Sequence, residues 1–182
     1  MWRSAIFFSA VATLASVTGA WAGTLLTVDE ALGLAFPDAE TRRESLFLTE
    51  EQLADVEARS GVADQGAIVT RFTARVGGSI SGYAYLDTHR VRTLPETLMI
   101  IVAPDTTVRH IEVVAFREPM EYLPPDSWYR QIEGQGLSPE LQLKRRVRPM
   151  TGATLTARAT TDAARRVLAV HHVLASSAEV AP

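Results

Sequence analysis

The richest chemistry in this sequence is a hydroxyl-bearing stretch, Thr151-Gly152-Ala153-Thr154-Leu155-Thr156. It stands directly ahead of a long apolar-periodic run, so its threonines fall at a helix N-terminus. Unpaired backbone N–H groups and the helix dipole favour an anion there, phosphate above all. Gly152 permits positive φ or close backbone approach, and Ala153 keeps the flank small. Thr151 or Thr154 could equally serve as a plain helix cap. Immediately upstream, Lys144, Arg145, Arg146 and Arg148 bracket Val147. With Val147 turned inward on an extended segment, Arg146 and Arg148 share the opposite face, where either could meet a phosphate. The same cations also fit a solvated basic edge or a patch for a docking partner.

Other chemistries find little support. His89, His110, His171 and His172 lack metal-ligand spacing, and the adjacent pair points about 100° apart on a helix, so no metal ligand is assigned. His171 reads as a core-edge residue. Glu118 with Glu121, or Asp126 with Glu133, have nothing to orient them as catalytic pairs. No Gly-x-Ser-x-Gly elbow and no Gly-x-Gly-x-x-Gly fingerprint occurs, and no catalytic residue is assigned. The absence of cysteine excludes disulfides, iron–sulfur clusters, a cysteine nucleophile and c-type haem attachment. A net charge of -3, from 18 basic and 21 acidic residues, argues against a nucleic-acid partner.

These residues need a scaffold to position them. Residues 1–22 read as a secretory signal peptide: Arg3, an apolar stretch from Ala5 to Leu14, then Ala20-Trp21-Ala22 as a small-x-small cleavage site. An uncleaved anchor is the competing reading, since no charge occurs from Ser4 to Val28, and it would keep the protein at the membrane. Both place the chain outside the cytoplasm, in the periplasm. Residues 23–182 then form one domain, opened by a helical extension over 27–61. Thr27 caps a first short helix ahead of Pro37. Thr49 and Gln52 form a capping box for a second, which stops at Ser60-Gly61.

From Gly66 the period becomes two. Ile68 to Val76 and Ile80 to Leu86 flank Gly77-Gly78-Ser79; Leu98 to Val102 and Val108 to Phe116 flank a second turn. Two hairpins predict a four-stranded antiparallel meander, packed on helices in an α+β fold. Ile68, Phe72, Val76, Ile100, Val102, Ile111 and Val113 are expected to share one core with a terminal helix from about Leu155 to Leu174. On that helix Ala164, Val167, Leu168, His171 and Leu174 face inward, and Arg165 and Arg166 turn away. Tyr83, Tyr85, Trp128 and Tyr129 read as packing residues.

The stretch Thr151-Gly152-Ala153-Thr154-Leu155-Thr156 resembles the [Ser/Thr]-Gly-Ala-Thr-x-[Ser/Thr] motif of the FMN-binding domain family, whose flavinylated members occur in the sodium-pumping NADH:quinone oxidoreductase and in the Rnf complex. Its setting is similar to that of compact, standalone periplasmic members: an export signal, Gly82-Tyr83-Ala84-Tyr85, the segment Val113 to Pro119, then the motif and an Ala-rich helix. The resemblance implies an FMN-carrying electron-transfer domain rather than a self-sufficient enzyme. It implies Thr154 as the phosphoester attachment point, with Thr151 to Thr156 and the cations Arg146 and Arg148 around the cofactor. A flavin transferase and a membrane-bound redox partner follow as implied partners. Many flavinylated members carry Asp three residues before the motif, where this chain has Arg148. That departure leaves open an alternative, a flavin-free exported accessory domain that keeps the fold.

Overall fold

A computed structural model describes residues 24–63 and 66–180. The signal-peptide reading of residues 1–22 therefore lies outside the described residues. Among the described residues, no helix is long and apolar enough to cross a membrane. The chain forms α1 (Val28–Ala35), β1 (Glu40–Phe47), α2 (Glu50–Ser60), β2 (Ile68–Val76), β3 (Ser79–Arg90), β4 (Pro95–Val102) and β5 (Val108–Phe116). Two further helices follow, α3 (Asp126–Tyr129) and α4 (Thr154–Val180).

Both N-terminal helices begin as their sequences dictate. The Thr27 hydroxyl accepts from the Glu30 N–H while the Glu30 carboxylate accepts from the Thr27 N–H, and Thr49 and Gln52 repeat the exchange at α2. Gly61 ends α2 in the left-handed conformation, φ 66°. The segment between them is not helical, which corrects the expected extension over 27–61. Glu40–Phe47 pairs antiparallel with β2 in full register, from Glu40 opposite Arg75 to Phe47 opposite Ile68, so the sheet has five strands rather than four. The strand lies at the sheet edge, where charged side chains guard against further pairing and erase the apolar alternation by which a strand is recognised. The order β1-β2-β3-β4-β5 is a simple antiparallel meander.

Helices cover both faces of this sheet, and so there are two cores. Under α1, Phe72, Ala74, Ala84, Met99, Ile101 and Val114 pack against Ala31, Leu32 and Phe36. On the opposite face, Val69, Tyr85, Leu98, Ile100, Val102 and Ile111 pack against α4, joined by Trp128, Tyr129, Leu141 and Val147. The expected single core is thus divided: Phe72 belongs with α1, and Ile68 and Val76 are 63% and 47% exposed. The more apolar set of β2, Phe72 and Ala74, meets α1, while Val69 shares the side of α4 with Arg71, Thr73 and Arg75, so the period marks an apolar face without revealing which helix covers it.

Helix α4 runs 27 residues, beyond the expected end at Leu174. Arg165 and Arg166 do not turn to solvent; both are buried. Arg165 donates to the carbonyls of Ser60, Ser138 and Leu141 at 2.7–3.0 Å, tying the end of α2 and a distant loop to α4. Arg166 forks onto both oxygens of Asp87 at 2.7–3.0 Å. Partners from elsewhere in the chain replace the water that a solvated arginine would keep.

Candidate functional site

The hydroxyl-bearing stretch sits where α4 begins. Gly152 takes φ 86°, and a Cβ built there would meet nothing within 4 Å, so glycine is required by the backbone and leaves open space. Ala153 is buried, and its carbonyl accepts the first helical bond, from the Ala157 N–H at 2.9 Å. Thr154 is exposed and its hydroxyl donates to the Met150 carbonyl at 2.9 Å. Among the described residues no side chain accepts from the first-turn N–H groups of α4, in contrast with the boxed starts of α1 and α2. Thr151 is exposed in the preceding turn and does not cap the helix. Thr156 is fully buried, and its hydroxyl donates to the Tyr122 carbonyl at 2.6 Å, a structural anchor.

A cavity of about 280 Å³ opens beside this helix start, lined by Gly152, Ala153, Thr154, Leu155 and Thr156 together with Arg92, Glu118 and Tyr122. Its cation is Arg92, carried on the β3–β4 connection. Arg146 and Arg148 are not among the lining residues. The basic segment is a turn rather than an extended strand: Lys144 has φ 70°, and its N–H donates to the Val147 carbonyl at 2.8 Å. Val147 does point inward and is fully buried, while Arg146 and Arg148 stay exposed. The Arg148 backbone is fixed on both sides, its carbonyl accepting from Trp128 Nε1 and its N–H donating to Gln131 Oε1. Glu118 lines the same cavity as a fixed carboxylate, a negative charge that Arg92 and the helix start must offset for an anion to bind there. One of its oxygens accepts from the N–H groups of Arg92, Thr93 and Leu94, which holds its carboxyl below the usual range.

Val91 and Leu155 also line a second, larger cavity of about 690 Å³, so the two are adjoining parts of one groove along the first turns of α4. Charged groups shape that larger part: Asp87 and His89 from β3, and Arg158, Asp162 and Arg166 from α4. Beneath it, His89 donates to Asp87 at 2.7 Å and to fully buried Glu96 at 3.0 Å. Burial opposes the charge on His89, but the two carboxylates override it and hold the imidazole pKa up at about 9. Asp87 is likewise burdened by burial and nevertheless drawn below its usual range by His89 and Arg166. Burial pushes Glu96 up, against the pull of His89. Among the described residues, the buried Glu96 Oε1, Thr160 hydroxyl and Tyr129 hydroxyl have no hydrogen-bond partner of ordinary geometry, although Thr160 lies close enough to Glu96 to pull its carboxyl down. Sequence reasoning missed this network, because the ion pairs link β3, β4 and α4 across as many as 79 residues.

Among the described residues no group of acids and histidines is disposed to hold a metal ion. Trp128 and Tyr129 are core residues, as their sequence suggested, and do not face the groove. The groove's chemistry is an anion-favouring helix start at one end and an ordered array of charged donors and acceptors at the other. No family model, no curated protein and no solved structure matches this chain.

Proposed function

We propose that this protein is an exported, FMN-carrying electron-transfer domain whose flavin is attached through a phosphoester on Thr154. The observation that carries this reading is the position of the Thr154 hydroxyl: exposed, at an uncapped helix start, and lining a cavity that continues into a long groove. A phosphate on Thr154 would meet the first-turn N–H groups of α4 and the Arg92 guanidinium, both suited to its remaining charge. Gly152 leaves the approach open. The combined groove falls in the size range of cofactor pockets.

When bound, FMN supplies the redox chemistry, and the protein supplies attachment, orientation and tuning of potential. Leu155, half-exposed, offers an apolar wall where the two parts of the groove meet. His89, held protonated at neutral pH between Asp87 and Glu96, gives the larger part a fixed, charge-compensated donor array. In this reading the domain is a relay between a membrane-bound redox partner and an unnamed acceptor or donor, loaded by a flavin transferase in the periplasm. An uncleaved N-terminal segment would keep it at the membrane. Arg148, standing where many flavinylated members of the family that the motif resembles carry Asp, favours a second reading: a flavin-free exported accessory domain that uses the same helix start for another anion or only as a terminus.

The intact mass and visible spectrum of protein purified from its native host test the choice. A mass increased by one phosphoester-linked FMN and a flavin absorption spectrum support the first reading. Unmodified mass with no yellow colour moves the protein to the second.

A further inference from the structure

A second cavity, of about 600 Å³, lies at the other end of α4, between its last turns and the outer strands β1 and β2. The 17 residues from Thr154 to His171 put about 25 Å of helix between it and the helix start. Its walls combine an aromatic platform, apolar surface and donors. Tyr83 is the platform: the Arg71 guanidinium lies 5.4 Å from its ring centroid, and the His171 ring is 4.9 Å away. Leu46, Ile80 and Leu174 give the apolar surface.

The hydrogen bonds leave this wall rich in donors. The Tyr85 hydroxyl and His171 Nδ1 are 2.8 Å apart and buried. Arg71, a donor only, also faces the Tyr85 oxygen, so the phenol proton points to Nδ1. His171 is neutral, burial having pushed its pKa down to about 4, and with Nδ1 accepting, its own N–H sits on Nε2. Among the described residues Nε2 has no partner, and the ring forms part of the cavity wall.

The charges are uneven as well. Arg42, Arg71 and Arg75 line the cavity against Glu40 and Glu44. Glu44 is committed to Arg71 at 2.9–3.0 Å and to the Thr73 hydroxyl at 2.9 Å, with Arg42 near enough to act on it, while the Arg75 guanidinium donates to the Gly78 carbonyl; three arginines thus face two carboxylates. Arg42 is left as the excess cation beside an aromatic platform. We propose that this cavity binds a small planar organic anion, an aromatic carboxylate, with its ring against Tyr83 and its carboxylate received by Arg42 and the His171 N–H. This inference is independent of the flavin reading.

Titration of the full-length protein with 2-naphthoate, followed by calorimetry, tests it, with neutral 2-naphthalenemethanol as the matched control. Saturable naphthoate binding at submillimolar concentration is expected, at least about tenfold tighter than the alcohol. Ala175→Trp, at an exposed lining position, should fill the cavity and weaken naphthoate binding at least tenfold. Arg42→Ala, also exposed, should weaken it at least about tenfold and remove the preference for the anion over the alcohol. The His171 imidazole ¹⁵N resonances should shift on binding in wild type and not in Ala175→Trp. No saturable binding up to about 5 mM, or binding that Ala175→Trp leaves unchanged, overturns the site. Binding that Ala175→Trp abolishes but Arg42→Ala leaves unchanged overturns the assignment of an anion.

Discussion

The two faces of the sheet are built from different chemistry. The core under α1 is built from apolar side chains, from Phe72 and Ala84 to Met99 and Ile101, with charged residues such as Arg43 and Glu112 toward its edges. Its notable polar contact is at the rim, where Arg109 lies 4.4 Å over the Phe36 ring and donates to the Ala35 carbonyl. The face under α4 is larger and threaded with buried and half-buried polar groups: Asp87, His89, Glu96 and Arg166 toward one end, Arg71, Tyr85 and His171 toward the other. Each buried charge needs a partner in fixed geometry, which costs more to assemble than a matching apolar contact. The α1 face has the economy of a part that only has to be stable. Both candidate sites lie along α4, on the face that accepts the greater cost.

Breaking the ion pair should show this difference most strongly. Arg166→Ala leaves the Asp87 carboxylate buried beside His89 and Glu96, and should cost up to about 5 kcal/mol of folding stability in denaturant unfolding. Adding Asp87→Leu to Arg166→Met should restore much of that loss, since an apolar pair of similar volume carries no charge to desolvate. A single-variant cost under about 1 kcal/mol would mean that water reaches the pair and that the polar face is not dry. Phe72→Ala on the apolar face is a loss of similar kind from cavity formation alone, roughly 3–5 kcal/mol. Its cross-strand neighbour Arg43 is exposed and belongs to no buried ion pair, so no second substitution of the Asp87→Leu type should rescue it.

Titration separates the faces next. His89 has a folded pKa of about 9, above its unfolded value near 6.5, so its contribution is complete below about pH 6.5 and is lost as pH rises through 9. His171 is the reverse: with a folded pKa of about 4, the unfolded chain binds the proton more tightly, and stability is lost as pH falls from about 6.5 through 4. Stability contributed by the α4 face should therefore peak near pH 6.5. Each limb should amount to roughly 3 kcal/mol at 1.4 kcal/mol per unit. Thermal unfolding of His89→Gln across pH 6 to 10 should flatten the alkaline limb. An unchanged limb would place the titrating group elsewhere.

What is legible in the sequence follows the range of the interactions. The Thr27 cap, the Thr49 capping box and the Gly77-Gly78 turn depend on neighbours within three residues, and all are present in the fold, the Thr27 cap as a full box with Glu30. Strand β1 is not legible because its edge position permits charge at nearly every site. Arg165 and Arg166 carry the pattern of solvated residues because a charged residue on a helix usually is solvated. Their partners, Ser60, Ser138, Leu141 and Asp87, arrive only with the tertiary fold. At the candidate site, the threonines and Gly152 are visible for local reasons. Arg92 is not, since the β3–β4 connection brings it from about 60 residues upstream.

The smallest change in stability should carry the largest change in composition. Thr49→Ala removes a capping box and should cost about 1 kcal/mol in thermal unfolding. Thr154→Ala removes one exposed hydroxyl whose bond to the Met150 carbonyl is open to water, and should cost about 0.5 kcal/mol. Thr151→Ala, at an exposed turn position that caps nothing, should be closer still to neutral. If the helix start is kept for chemistry rather than for holding α4 in place, stability and flavin loading must come apart there. On co-expression with a flavin transferase, denaturing-gel fluorescence should be retained in Thr151→Ala and absent in Thr154→Ala, although both fold. Arg92→Ala, which leaves the hydroxyl intact, should reduce loading without abolishing it. Arg148→Asp should raise loading if the transferase reads that position, because the Arg148 side chain lies outside the lining of the cavity it would serve. Equal fluorescence from Thr154→Ala and wild type would dissolve the contrast between a boxed start and an open one. The uncapped end of α4 would then be nothing more than a long helix beginning without a cap, its 27 residues held by packing alone.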